Sequence, residues 1–507
     1  MFLLDDMITS WAHESPKRVC VIDGTGRLTF AELEQASRMR AVELRQSGVK
    51  SGCRVVVVAP NSLESVVAYV AVLRAGAVLV PVSPDARLPR LLAIIDDCEP
   101  SAIMAPSSVL TQLHGDFTRA FKPLIALDSL SEQSNASAID TRASLGCAAK
   151  YAGVIDHDIA AIVYTSGSSG EPKGVMLTHA NLMNSTAAIA MYLGQTESDI
   201  LGCAIPIAFS YGLIQLLASL RMGSMIVLDR SFVFPVDTLR SIALHRVTIL
   251  PAVPTMIARM IDVIPRLEID LSSVRVMTNA AAALPPAHAL RISALLPQIQ
   301  LHLMYGQTEC TRACTLHPSL VRSNPSSVGR AIPNSEVYLI DDDGGRLPSG
   351  SEGELVVRGA NVMRGYWRKP AETHACLVAG EHQGEIVLRT GDRFRSDSAG
   401  LLSFVARSDE VFKCRGEKIA PAAIEHLLCA IPGVSDAAVV GVEHAEDGMA
   451  IKATIVVREG AEVDERTVRA YCKAALEAGH MPRFIDFRDA LPRTLSGKLL
   501  RRALAQT

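Results

Sequence analysis

The stretch Ala160–Gly174, AAIVYTSGSSGEPKG, sets an apolar strand (Ala160–Val163) ahead of a loop of small and hydroxylated residues, and a helical pattern begins near Asn181. Within Tyr164–Gly174, the glycines Gly167, Gly170 and Gly174 are interspersed with Thr165, Ser166, Ser168 and Ser169, and Lys173 lies close by. Residues without a Cβ let backbone N–H groups and hydroxyls surround phosphate oxygens, and a nearby lysine adds positive charge. A polyphosphate cradle is the direct chemical reading, and a flexible Gly/Ser turn is the bland one. It is not a Walker loop, because Gly167 is not followed by four residues and then Gly-Lys-Ser/Thr.

Outward from this stretch, short β-branched runs alternate with helical patterns: Arg54–Ala59 then Leu63–Arg74, Ala77–Val82 then Pro89–Cys98, Met225–Leu228 then Asp237–His245. Continuous apolar strands separated by helices predict an α/β fold with parallel sheets buried on both faces. Ser129–Lys150, rich in Ser and Ala, reads as a surface excursion. From Val337 the rhythm shifts to short strands and turns (Val337–Ile340, the Asp341–Gly345 turn, Gly353–Arg358, Glu385–Thr390), which predicts a β-rich subdomain. After Asp409 the pattern is mixed again: helices near Ala422–Ala430 and Asp464–Ala478, and strands at Ala437–Val442 and Ile451–Val457. That tail is long enough for a small domain of its own.

The 507 residues carry 50 Lys+Arg against 53 Asp+Glu, a net charge of −3, with 49% hydrophobic residues. This composition excludes disorder, collagen and coiled coil, and no global field draws the chain onto nucleic acid or an anionic membrane. The eleven cysteines are scattered without a CxxC pair, which fits reduced thiols in a cytoplasm. Cys310, Cys314 and His317 lack a fourth ligand at zinc spacing. Met1–Lys17 has no basic n-region, which argues against a signal peptide. The most apolar stretch, Ser65–Val82, is interrupted by Arg74, Gly76 and Pro81 and falls short of a span of about 20 apolar residues.

Several further motifs follow in one order: Leu28–Leu33 (LTFAEL), Leu73–Pro84 (LRAGAVLVPVSP), Met304–Glu309 (MYGQTE), Gly353–Thr373 (GELVVRGANVMRGYWRKPAET), Arg389–Asp392 (RTGD), Arg407–Glu425 and Leu491–Arg502 (LPRTLSGKLLRR). With the Tyr164–Gly174 loop, they resemble the AMP-forming adenylating superfamily of acyl-CoA synthetases, adenylation domains and luciferases. The resemblance implies a large N-terminal region, residues 1–408, of two α/β subdomains and a β-rich piece. A small mobile α+β C-terminal domain, residues 409–507, would be hinged near Asp409.

It also implies roles. Thr165, Ser166, Gly167, Ser168, Ser169, Gly170 and Lys173 would cradle ATP phosphates. Tyr305 and Gly306, with Ala281 and Ala282, would face adenine. Thr308 would meet phosphate, Glu309 would hold Mg²⁺, and Asp392 and Arg407 would take the ribose. A single Glu suffices for a hard cation otherwise held by phosphate oxygens and waters. Lys498 would bridge the attacking carboxylate and the α-phosphate, stabilising charge that develops in the transition state. The resemblance further implies that rotation about Asp409 brings Lys413–Ile419 to the site and places Gly416 along the thiol's path.

Phe209, Ser210, Tyr211, Asn279 and Ala280 are implied to surround the carboxylic acid. Two departures bear on its identity. Ser210 stands where amino-acid-activating relatives have an Asp, which disfavours a substrate ammonium. Asn279–Leu284 (NAAAAL) replaces a glycine-rich turn, which favours a compact apolar or aromatic acyl group. The expected product is a thioester, formed on coenzyme A or on the phosphopantetheine of an acyl or peptidyl carrier protein. Arg415, Lys418 and Arg483 could recognise either acceptor. A catalytically silent ATP or acyl-AMP binder is the alternative from another class.

Overall fold

The computed structural model describes residues 3–116, 123–127, 153–166, 172–407, 410–414, 417–444, 448–476, 480–494 and 499–505. The surface excursion read at Ser129–Lys150 lies outside them. The chain divides into two compact units: residues 1–251, 308–312 and 359–377, and residues 252–307, 313–358 and 378–507.

Through the N-terminal segment of the first unit run the strands β1 (Val19–Ile22), β2 (Arg27–Thr29), β3 (Arg54–Val58), β4 (Val78–Val82), β5 (Ala102–Ala105), β6 (Leu124–Ala126), β7 (Ile159–Ser166), β8 (Pro172–Thr178), β9 (Ile200–Cys203), β10 (Met225–Leu228) and β11 (Ile249–Ala252), the last ending at the unit boundary. Parallel pairing joins β6, β5, β3, β4 and β7 in that order, and β8 adds antiparallel to β7. A second run joins β10 in parallel to both β1 and β9, and β9 to β11. Helices separate most of these strands, so the runs read as apolar on both faces, and the core of the first sheet includes Val56, Val58, Val80, Ile94 and Ile162. The helix ends are written locally: Thr29 with Glu32, and Thr178 with Asn181, form reciprocal caps.

Two readings change here. The loop expected over Tyr164–Gly174 is narrower, because β7 continues to Ser166 and β8 begins at Pro172, with Thr165 opposite Lys173. Gly174 is a strand residue: a Cβ there would lie 2.7 Å from Ile162 Cγ2 and 3.0 Å from the Tyr164 ring, so its missing side chain makes room for packing rather than for phosphate. The sheet is also mixed, not purely parallel, since β7–β8 is a hairpin.

In the second unit, the strand Val276–Asn279 pairs in parallel with Gln300–Tyr305. Antiparallel pairing continues through Cys314–Thr315, Ser327–Ala331, Leu402–Arg407, Ile386–Ser396 and Glu352–Gly359, which is the β-rich piece. The tail forms its own three-stranded sheet of Val434–His444, Gly448–Val457 and Phe484–Phe487. Ile424, Leu428, Val439, Ile451, Ile455, Val468 and Cys472 close its core. The mixed α/β class, with a large sheet-rich N-terminal region and a separate C-terminal domain, is therefore as the sequence implies. No described helix is long and apolar enough to cross a membrane.

Candidate active site

In the first unit, the turn Thr308–Arg312 is fixed by the segment that follows Gly359. Asn361 Nδ2 donates to the carbonyls of Cys310 and Arg312 at 3.1 and 2.7 Å, and Met363 N donates to the Glu309 carbonyl at 2.8 Å. Thr311 adopts φ +52°, and its hydroxyl lies 2.5 Å from Ser185 Oγ. A left-handed β-branched residue costs about 1–3 kcal/mol and persists where its surroundings over-determine it.

This turn presents Thr308 and Glu309. Thr308 Oγ1 lies 3.0 Å from Ser210 Oγ, at the start of the helix Ser210–Met222. Glu309 Oε1 accepts a hydrogen bond from the Tyr366 hydroxyl at 2.8 Å. Lys173 Nζ sits 5.4 Å from the centre of the Tyr366 ring. Burial raises the Tyr366 phenol well above its ordinary range, and the Glu309 charge adds to the rise. Phenol, carboxylate and ammonium thus share one small region with Ser210 and the β7–β8 hairpin that carries Thr165 and Ser166. Glu309 is a half-buried carboxylate oriented by one phenol, and the described residues contain no group of three or more His, Cys, Asp or Glu able to hold a metal. This donor set suits a hard cation that takes most of its ligands from phosphates and water. Phe209 caps its helix without a side-chain bond, and Tyr211 is buried with the Arg312 guanidinium 4.9 Å from its ring centre.

The second unit gathers the remaining residues. Asp392 is 4% exposed. Its Oδ2 accepts from the Tyr305 hydroxyl at 2.7 Å and from Gln307 Nε2 at 2.8 Å, and its Oδ1 lies 3.7 Å from Arg407 Nε. Gln307 Nε2 also reaches the Thr390 carbonyl at 2.9 Å, and the Tyr305 ring packs edge-on against Phe394 at 4.7 Å. The site therefore contains an aromatic face and a fixed carboxylate that retains one oxygen beyond hydrogen-bond distance of Arg407 Nε. Gly306 follows Tyr305 at the strand end. Asn279 ends the neighbouring parallel strand, with Nδ2 bonded to the Ala282 carbonyl at 3.2 Å and a buried Oδ1 that accepts no hydrogen bond among the described residues. Ala280 is buried, whereas Ala281, at φ +74°, and Ala282 are exposed.

The structure thus brings Thr308, Glu309, Ser210 and Lys173 into one neighbourhood, and Tyr305, Asp392 and Arg407 into another. The two sets are consecutive along the chain at Gln307 and Thr308. Gly167, Ser168, Ser169, Gly170, Asp409, Gly416 and Lys498 lie outside the described residues. Sequence reasoning missed Tyr366, Gln307 and Arg312. Tyr366 and Gln307 lie inside quoted motifs (GYWRKP and YGQTE), so their polar ends were available signals.

The family model described as AMP-binding enzyme matches residues 8–367, and the AMP-binding enzyme C-terminal domain matches residues 423–498. 4-Coumarate–CoA ligase-like 9 of Oryza sativa subsp. japonica is 31% identical over 521 aligned residues, covering 98% of this chain and 91% of that protein. Tyrocidine synthase 2 of Brevibacillus parabrevis is 29% identical, covering 99% of this chain and 14% of that protein. Among solved structures, ATP-bound MatB from Rhodopseudomonas palustris matches at a TM-score of 0.86 and 28% identity, covering 100% of this chain and 99% of that one. These matches span nearly the whole sequence, and the chain belongs to the AMP-binding enzyme family: it is an AMP-forming adenylating enzyme of the acyl-CoA ligase type.

Proposed function

We propose that this enzyme uses ATP to convert a carboxylic acid into acyl-AMP with release of pyrophosphate, and then passes the acyl group to the thiol of coenzyme A. The observation that carries the proposal is the buried Asp392 carboxylate, gripped by Tyr305 and Gln307 and facing Arg407, because it joins an aromatic face to an oriented acceptor for two ribose hydroxyls. Thr308 and the hairpin residues Thr165, Ser166 and Lys173, with Gly167–Gly170, would hold the phosphates. Glu309, steadied by Tyr366, would hold Mg²⁺, which supplies charge neutralisation at the phosphates.

Lys498 would bridge the carboxylate and the α-phosphate. Its loss would cost roughly 3–4 kcal/mol of barrier, a factor of about 10²–10³ in rate. The C-terminal domain, residues 409–507, would turn about Asp409 to exchange Lys498 for the loop bearing Gly416, opening the thiol path. Coenzyme A is favoured because the ligase-like relative from Oryza is named for a CoA ligation. The phosphopantetheine arm of a carrier protein is the alternative acceptor.

The test is acid-dependent pyrophosphate release over fatty, aryl, dicarboxylic and amino acids, with wild type beside Lys498→Ala, followed by coenzyme A or a phosphopantetheinylated carrier protein. Release suppressed in the variant supports adenylation, and the thiol that becomes acylated identifies the acceptor. ATP binding without release for any acid contradicts the proposal and favours a silent binder.

A further inference from the structure

Arg312 ends the turn that presents Glu309 and is among the largest fully buried side chains, at 2% exposure. Its guanidinium lies over the Tyr211 ring and hydrogen-bonds the Tyr192 phenol, whose proton affinity burial raises and the neighbouring charge partly lowers. Nε and Nη2 meet no acceptor among the described residues, and none of those residues supplies a carboxylate at ion-pair distance. A buried cation without a counter-charge costs several kcal/mol, so its retention calls for an anion that arrives from outside the chain. A second feature points the same way. Tyr211 is the second residue of the thirteen-residue helix Ser210–Met222, whose cap, Phe209, offers no side-chain bond to the first turn. The guanidinium therefore packs on a first-turn residue of this helix, and the neighbouring first residue, Ser210, has its Oγ 3.0 Å from Thr308 Oγ1.

We infer that Arg312 receives a second carboxylate, and that the acid this enzyme activates is a dicarboxylic acid. The inference rests on the adenylation reading above. One carboxylate would be activated beside Thr308, and the other would take the guanidinium in the two-pronged geometry that Arg offers and Lys does not. The same charge fits Ser210: with Arg312 on the ring of the adjacent Tyr211 and no carboxylate at position 210, a substrate ammonium is repelled as well as uncompensated. This preference differs from the apolar one drawn from NAAAAL, and the diacid comparison below decides between them.

The experiment compares straight-chain and aromatic dicarboxylic acids with their monomethyl esters, which match them in length but lack the second charge. Pyrophosphate release is measured for wild type, Arg312→Met and Arg312→Lys. Wild type is expected to favour one diacid over its ester by about 100-fold or more in kcat/KM. In Arg312→Met the preference should collapse to within about threefold, with Arg312→Lys in between. A preference for the ester in wild type, or an equal fall for both partners in Arg312→Met, overturns the inference. The equal fall would place Arg312 on the reacting carboxylate or on phosphate.

Melting curves without nucleotide give an independent readout. The diacid should raise the melting temperature of wild type but not of Arg312→Met, the ester should raise neither, and acid-free Arg312→Met should melt no lower than wild type, because an uncompensated charge has been removed. If no acid releases pyrophosphate yet the Arg312-dependent shift is seen, adenylation falls and the diacid site stands. If release occurs without diacid preference or shift, the diacid site falls alone.

Discussion

Replacing Asp392 by Asn tests the adenosine half of the site while nearly preserving its shape. In the native chain, two donors, Tyr305 Oη at 2.7 Å and Gln307 Nε2 at 2.8 Å, converge on Oδ2, and Arg407 Nε faces Oδ1 at 3.7 Å. An amide offers one acceptor oxygen and one NH₂ group, so whichever way it turns, a donor faces a donor. Hydrogen bonds to a charged group contribute about 1.5–3 kcal/mol, and an amide retains only part of that toward a ribose hydroxyl. ATP affinity should therefore weaken by about 2–3 kcal/mol, roughly 30- to 150-fold.

Loss of the Arg407 pair adds little to stability, because Arg407 is 31% exposed and such pairs contribute about 0–1 kcal/mol. Calorimetric titration with ATP reads the effect directly, with the KM for the acid expected to move by no more than about threefold. A double-mutant cycle with Tyr305→Phe should show coupling of about 0.5–3 kcal/mol, as expected for groups in one network. A folded Asp392→Asn enzyme that binds ATP within threefold of wild type would refute the ribose assignment.

Other perturbations probe separate features. Tyr366→Phe removes the donor on Glu309 Oε1 and should raise the Mg²⁺ concentration needed for half-maximal release, with kcat falling by about 3- to 10-fold; an unchanged Mg²⁺ dependence would detach Tyr366 from the metal's carboxylate. Ala281→Gly relieves φ +74° and should be neutral or stabilising by up to about 1 kcal/mol in urea unfolding, whereas a loss above 1 kcal/mol would contradict the strain. His179 is buried, its Nδ1 accepts from Leu4 N at 3.2 Å, and burial lowers its pKa to about 4 against an ordinary 6.5. A folded value below the unfolded one means that the unfolded chain takes up the proton first, so this contribution to stability is fully present above pH 6.5 and lost as pH falls toward 4. His179→Gln should flatten that limb by about one proton's slope, and an unchanged slope would show that His179 does not govern it.

The parts legible in the sequence were those carried by contiguous patterns. The strands Arg54–Val58 and Met225–Leu228 and the helix Leu63–Arg74 stand where β-branched runs and helical periodicity placed them, because burial on both faces leaves a continuous apolar signature. The strand Ile386–Ser396 ran past the expected Thr390, since burial alternates along RTGDRFRS in an antiparallel ladder while Phe394 is its only large apolar residue, so the hydrophobic run ends before the pairing does. Tyr305 and Asp392 were recognisable through MYGQTE and RTGD. That they share a hydrogen bond across 87 positions, with Gln307 as a second donor, is a property of the folded sheet. Arg312 gave no local signal, because a lone Arg in sequence is most often a solvated charge and only its burial beneath Tyr211 marks it.

The most direct test of the central claim is acid-dependent ATP–pyrophosphate exchange, which requires reversible acyl-AMP formation and needs no thiol. The expected result is exchange that depends on both an acid and Mg²⁺, falls with Lys498→Ala, and is strongest for a dicarboxylic acid. Tight ATP binding with no exchange for any acid would contradict the assignment of this chain as a working adenylating enzyme.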